Sequence, residues 1–110
     1  LQTALALADP LSLRVRTVQV TAAMPEWYSE RIAFLGDAVH AMSPAGGLGA
    51  NTALVDAASL AAHLAHSDSA AQALRNYGTE LQTRGAAAIH LSRLASERLQ
   101  QNSEADNSAP

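Results

Sequence analysis

The strongest constraint on this chain lies in residues 31–56, where a short apolar run, a Gly-Asp pair, a glycine-rich loop and a helix-forming stretch follow one another directly. Ile32-Ala33-Phe34-Leu35 is too short for a helix and is bounded by Arg31 and Gly36-Asp37, which predicts a buried strand. Pro44, Gly46, Gly47 and Gly49 then mark a loop. A helix is expected from about residue 52 to 66, with Leu54, Ala57, Ala58, Ala61, Ala62 and Ala65 forming a face of small residues suited to close packing. A strand ending in Gly36-Asp37 sets a carboxylate at its C-terminal edge, where open sheets receive ligands. Gly36 lets such a ligand approach the backbone. The first turn of the helix presents backbone N–H groups without intrahelical acceptors, a seat for an anion or an electron-rich carbonyl. No Lys or Arg occurs between Arg31 and Arg75, although a phosphate loop usually carries one. A delocalised acceptor therefore suits the site better than a phosphate.

The flanks read more simply. Leu11, Leu13 and Val15 alternate with polar residues as in a half-buried strand, and Val18 and Val20 continue it after a bulge at Thr17. Pro25 marks a loop, and Trp27 is read as a packing aromatic. Ser67-Asp68-Ser69 is suited to cap a further helix. Leu74, Tyr77, Leu81, Ala88, Leu91 and Ala95 give that helix an apolar stripe reaching about Arg98. Gly78 and Gly85 lie inside it, and a bend or break is expected near Gly85. The polar residues 100–110 read as a disordered tail.

Composition narrows the possibilities. Of 110 residues 48% are hydrophobic, but many are alanine and only 4% are aromatic, so the chain alone would build a thin core. Its first residue is Leu1 and its opening reads as the middle of a domain, so a piece of a longer protein is expected. A net charge of −3 and scattered arginines argue against nucleic acid as a partner. The absence of cysteine excludes disulfides and thiolate chemistry, and agrees with a cytoplasmic location. No apolar run approaches the roughly 20 residues of a membrane-spanning helix.

Gly36-Asp37-Ala38-Val39-His40, Pro44, Gly47-x-Gly49-x-Asn51 and Asp56 together resemble the second FAD motif of the flavoprotein aromatic hydroxylases, the group of p-hydroxybenzoate and salicylate hydroxylases. The match is specific as a spaced set, and weak for any one piece. Val39 departs from the alanine usual in the family. The resemblance implies an α/β fold, here the C-terminal part of an FAD/NAD(P)-binding fold with short strands, the glycine-rich loop and two to three helices. It divides the chain into the end of a substrate-domain sheet and linker (1–30), the C-terminal part of the FAD-binding domain (31–99) and the tail (100–110). It implies that Asp37 binds a ribityl hydroxyl of FAD and that Gly36 admits the cofactor chain. The amides of Gly49, Ala50 and Asn51 would approach the isoalloxazine, with Pro44 and Gly47 beside the ring. The implied activity is that of an NAD(P)H-dependent FAD monooxygenase that hydroxylates an aromatic or similar small organic substrate with O2. The rival readings are a reductase, halogenase or oxidase using the same seat, or a non-catalytic helical binding module. The Gly-x-Gly-x-x-Gly turn that seats the FAD pyrophosphate is absent from these residues, so the chain alone is expected to hold FAD weakly and to be inactive.

No side chain is assigned as catalytic or metal-binding. His40 is read as packing or hydrogen bonding beneath the loop, and His63 and His66 as a solvated helix end. Asp56 is read as a structural charge near the first helical turn, where it complements the helix dipole. Arg84 and Arg93 are assigned to a solvated or interdomain face, and Tyr77 to the core.

Overall fold

A computed structural model describes residues 6–12, 14, 16–24 and 29–107. Among these the regular elements are helical. They are a 3-10 turn at Pro10–Ser12, a single helical turn α1 (Asp37–His40), a second 3-10 turn at Pro44–Gly46, and two long helices, α2 (Gly49–His66) and α3 (Ala70–Asn107).

The two expected strands are not present among the described residues, which corrects the α/β reading at this level. A strand is completed by ladder bonds to a neighbour, and no described segment pairs with residues 32–35 in this way. Ile32, Phe34 and Leu35 are exposed, so this run is not buried within the chain. Upstream, Pro10–Ser12 is a 3-10 turn, and Val18 and Val20 are exposed in irregular backbone. Leu13, Val15, Pro25 and Trp27 lie outside the described residues.

The helices begin near where the sequence places them. Ser69 Oγ accepts a hydrogen bond from the Gln72 N–H, so the Ser-Asp-Ser segment caps α3 as expected. At the other end α3 continues to Asn107, past the expected end near Arg98 and into the segment read as a tail. Gly85 neither breaks nor ends the helix. A Cβ at this position would lie 2.8 Å from Met24 Sδ and 3.4 Å from His40 Cδ2. The glycine thus lets α3 pass close over Met24 and the His40 ring, which outweighs its low helix propensity.

The core is small. Val39, Tyr77 and Leu81 form its centre, with Met24, Ala33 and Leu60 packed against them. Ala73, Ala88 and Ile89 extend the buried face along α3, whereas Leu91, expected in the stripe, is exposed.

The small-residue face of α2, expected to pack against a sheet or a ligand, is not the face turned to α3. Leu54, Ala57, Ala58, Ala61, Ala62 and Ala65 are all exposed, and the side turned to α3 carries Asp56, Ser59, Leu60 and His63. Asp56 is buried there and Ser59 and His63 are half-buried, with partners supplied by α3. Ser59 Oγ donates to Glu80 Oε2 at 2.8 Å, and His63 Nε2 donates to the same oxygen at 2.9 Å. Arg84 bridges back to both Glu80 and Asp56. The two long helices are thus joined by ion pairs and hydrogen bonds as well as by Leu60 packed against the core. No helix among the described residues is long and apolar enough to cross a membrane.

Candidate functional site

The site is built from three short pieces of backbone. The first is the turn at Gly36, whose φ of +59° is a conformation that L side chains rarely adopt. The carbonyl of Gly36 accepts from the N–H groups of Val39 and His40, which closes α1 and turns the chain away from residues 32–35. A Cβ on Gly36 would also stand 3.1 Å from Ala53 Cβ, so this turn is seated directly on α2.

The second piece is the loop before α2. Ser43 Oγ accepts from the Ala45 N–H, Pro44 starts the 3-10 turn, and the Gly47 N–H closes it on the Pro44 carbonyl at 3.0 Å. Ser92 of α3 is buried and donates to the Ser43 carbonyl at 3.0 Å, which pins the loop from below. The third piece is the first turn of α2. Thr52 N–H donates to the Leu48 carbonyl, so Gly49, Ala50 and Asn51 are the amides that precede the intrahelical ladder. Leu48 supplies no side-chain cap for them.

Between these pieces lies an open cavity of about 590 Å³, lined by Asp37, Met42, Ser43, Pro44, Gly47, Gly49, Ala50 and Ala53. Sequence reasoning selected Asp37, Pro44, Gly47, Gly49 and Ala50, and the fold brings all of them to this one wall system. Gly36 is buried behind the wall, and Asn51 is exposed outside the lining while its amide belongs to the same helical turn. Met42, Ser43 and Ala53 were not singled out. The first two flank Pro44, and Ala53 follows Ala50 by one helical step, so helical periodicity could have flagged Ala53.

Beneath the cavity is a buried polar layer. His40 and Asp56 are both fully buried and in contact, His40 Nε2 against Asp56 Oδ2. The same Oδ2 accepts from the Gly36 N–H at 3.1 Å, and Oδ1 accepts from Arg84 Nε at 2.9 Å. Burial by itself would raise the Asp56 carboxyl, but the hydrogen bonds from His40, Gly36 and Arg84 together hold it below its ordinary value. The Asp56 carboxyl is thus the meeting point of the Gly36 N–H, Arg84 Nε and the His40 ring. Asp56 stands beyond the first turn of α2, so these contacts, and not the helix dipole, hold its charge. Arg84 is not on a solvated face, since its guanidinium pairs with Asp56 and Glu80. Burial lowers its affinity for the proton, and the hydrogen bonds it donates to those carboxylates more than compensate. Arg93 does reach solvent, while donating to the Ala22 carbonyl at 2.8 Å.

Two further groups answer to this layer. Hydrogen bonds from His63, Ser59 and Arg84 hold the Glu80 carboxyl down at about 2. Tyr77 is in the core as expected and its hydroxyl donates to the Phe34 carbonyl at 2.9 Å. Burial, reinforced by the Asp56 charge, pushes that hydroxyl up to about 12.

A family model described as an FAD binding domain matches residues 2–92. Among the curated relatives, a dual O-methyltransferase/FAD-dependent monooxygenase (CTB3) of Cercospora nicotianae is 35% identical over 88 residues, covering 77% of this chain and 10% of that protein. Phenazine 1,6-dicarboxylic acid hydroxylase PhzS of Lysobacter antibioticus is 43% identical over 54 residues, covering 49% of this chain and 13% of the relative. The FAD-dependent monooxygenase trt8 of Aspergillus terreus is 51% identical over 53 residues, covering 44% and 13% respectively. The chain thus spans about a tenth of the length of the curated relatives it matches. No solved structure matches it. From the motif, the cavity it lines and the match over residues 2–92, the chain belongs to the FAD binding domain family.

Proposed function

We propose that this chain forms one half of an FAD seat in a longer NAD(P)H-dependent monooxygenase, which hydroxylates an aromatic or similar small organic substrate with O2. The observation that carries the reading is the convergence of Asp37, Pro44, Gly47, Gly49 and Ala50 on one cavity. Its volume of about 590 Å³ falls within the ~300–1,000 Å³ typical of small-molecule sites.

The residues present fit the cofactor. Asp37 offers a carboxylate that accepts hydrogen bonds from ribityl hydroxyls. Across the cavity, the amides of Gly49, Ala50 and Asn51 offer donors to the carbonyl edge of the isoalloxazine, and the positive end of α2 favours negative charge there. Gly47 and Gly49 keep side chains off the approach, and Pro44 gives a rigid apolar flank. FAD supplies the redox chemistry, while these residues bind, orient and polarise it. Residues 32–35 then serve as a strand completed by a sheet formed elsewhere in the protein, and the exposed alanine face of α2 packs within that larger domain.

The test is FAD binding by the full-length protein, followed by absorbance near 450 nm after gel filtration. Asp37→Ala is expected to lose bound flavin, and undiminished retention would overturn the assignment. The 110-residue chain alone is expected to retain little flavin; tight stoichiometric uptake would contradict the half-seat.

A further inference from the structure

The cavity has two walls, the Gly36–Asp37 turn and the first turns of α2, and one side chain joins them. We infer that Asp56 is a positioning residue for the cofactor seat, clamping the Gly36–Asp37 turn to α2 and locking both to α3 through Arg84. The inference rests on the FAD reading above and adds to it what sets the spacing between the ribityl-facing carboxylate and the ring-facing amides.

The geometry is direct. Asp56 belongs to α2, the helix whose start lines the cavity through Gly49, Ala50 and Ala53. Its Oδ2 takes the Gly36 N–H, which immediately precedes Asp37, and the same oxygen holds the ring of His40, the last residue of α1. Asp37 thus stands on a turn tied to Asp56 at both ends. The contact of Gly36 with Ala53 leaves that turn no slack toward α2, because even a methyl group there would crowd Ala53 Cβ. Oδ1 takes Arg84 Nε, and the Arg84 Nη1 continues to Glu80 at 2.7 Å, so α3 is joined to the same point.

Stability alone is a poor account of such a cluster. Removing charges from water is costly, and apolar side chains of similar volume often stabilise a core as well or better. Here the arrangement also leaves His40 Nδ1 and Arg84 Nη2 buried without a hydrogen-bond partner among the described residues. What a carboxyl group held from three directions supplies is a fixed relative placement of three backbone segments. Misplacement by about 1 Å at a cofactor or substrate site costs far more in function than in folding.

The test uses the full-length protein with FAD, comparing wild type with Asp56→Asn, Arg84→Gln, Arg84→Lys and Asp37→Ala. FAD affinity is measured by flavin fluorescence, the environment of the ring by visible circular dichroism of the bound flavin, and folding by the melting temperature of the apoprotein. Affinities are taken well below that temperature. Asp56→Asn is expected to weaken FAD binding about tenfold and to alter the flavin dichroism. Arg84→Gln should weaken binding about threefold, with Arg84→Lys recovering most of the loss because it restores the cation facing Asp56. A lowered melting temperature with unchanged affinity and dichroism in Asp56→Asn would reduce the residue to a structural role and overturn the inference. If Asp56→Asn does not fold, the Arg84 pair decides by the same two readouts. Asp37→Ala separates the two levels: if it retains FAD like wild type, the seat itself is misassigned. If it loses FAD while Asp56→Asn and Arg84→Gln bind normally, only the positioning role fails.

Discussion

Asp37 and Asp56 belong to the same turn-loop-helix unit, yet they occupy opposite environments. Asp37 is exposed on the wall of the cavity, and Asp56 is wholly buried in the layer beneath it. The cavity offers groups to a partner: a carboxylate on one side and the first amides of α2 on the other. The layer beneath turns most of its polar groups on itself, with Gly36, His40 and Arg84 converging on Asp56 and only His40 Nδ1 and Arg84 Nη2 left without a partner among the described residues. A binding surface must keep some hydrogen-bonding capacity open, whereas its support must leave little to chance. The contrast divides the unit into a part that meets the ligand and a part that holds the first in place.

The largest effect that tests this division is on folding. Asp56→Ala strips three donors of their acceptor and leaves the Arg84 charge without its buried partner, so a loss of about 3–5 kcal/mol is expected. Asp37→Ala should leave the unfolding midpoint where it was, because no donor of the support layer depends on it. Urea unfolding of both variants checks the pair. Equal destabilisation would erase the distinction between wall and support.

Gly85 gives the next test. The space a side chain would need there is filled by Met24 and by the His40 ring, so Gly85→Val should cost about 1–3 kcal/mol by overpacking. A variant as stable as wild type would show that the layer under the cavity yields easily. Tyr77→Phe should cost less, roughly 0.5 kcal/mol, the low end for a lost hydrogen bond. The Phe34 carbonyl sits in a segment with exposed neighbours, where water can replace the phenol. Thermal melts resolve both.

The division also explains what the sequence revealed. The wall was legible because it is local: Gly36-Asp37, Pro44 and the glycines up to Gly49 each favour their own turn, and consecutive turns close one cavity. The support was not, because its bonds join residues far apart in the chain, Arg84 to Asp56 across 28 positions and His40 to Asp56 across 16. Amphipathic reasoning turns apolar residues inward and charged ones outward, and it therefore set Arg84 on a solvated or interdomain face. It fails where α2 brings Asp56 to Arg84 of α3, since a paired charge can then be buried. Gly85 misled in a related way. Its helix propensity is visible in the sequence, while the close approach of Met24 that makes it fit is not. The apolar run 32–35 showed its composition but not a ladder partner, which the described residues do not supply.

The smallest expected effect lies at the outer end of the support, where Glu80 joins it to solvent. His63, Ser59 and Arg84 lower the Glu80 carboxyl from its ordinary 4.5 to about 2, so the folded state prefers it ionised more than the unfolded state does. That preference contributes to stability fully above about pH 4.5 and is lost as the pH falls toward 2. Asp56, also lowered, adds to the same acid limb from inside the layer. Glu80→Gln should therefore flatten the fall of melting temperature between pH 4.5 and 2 without abolishing it. Because the Glu80 side chain is half exposed, the difference should also shrink with added salt, whereas the limb due to Asp56 should persist. Melts of wild type and Glu80→Gln at low and high ionic strength measure this. Parallel pH profiles would mean that Glu80 only decorates the surface and that the support ends at Arg84.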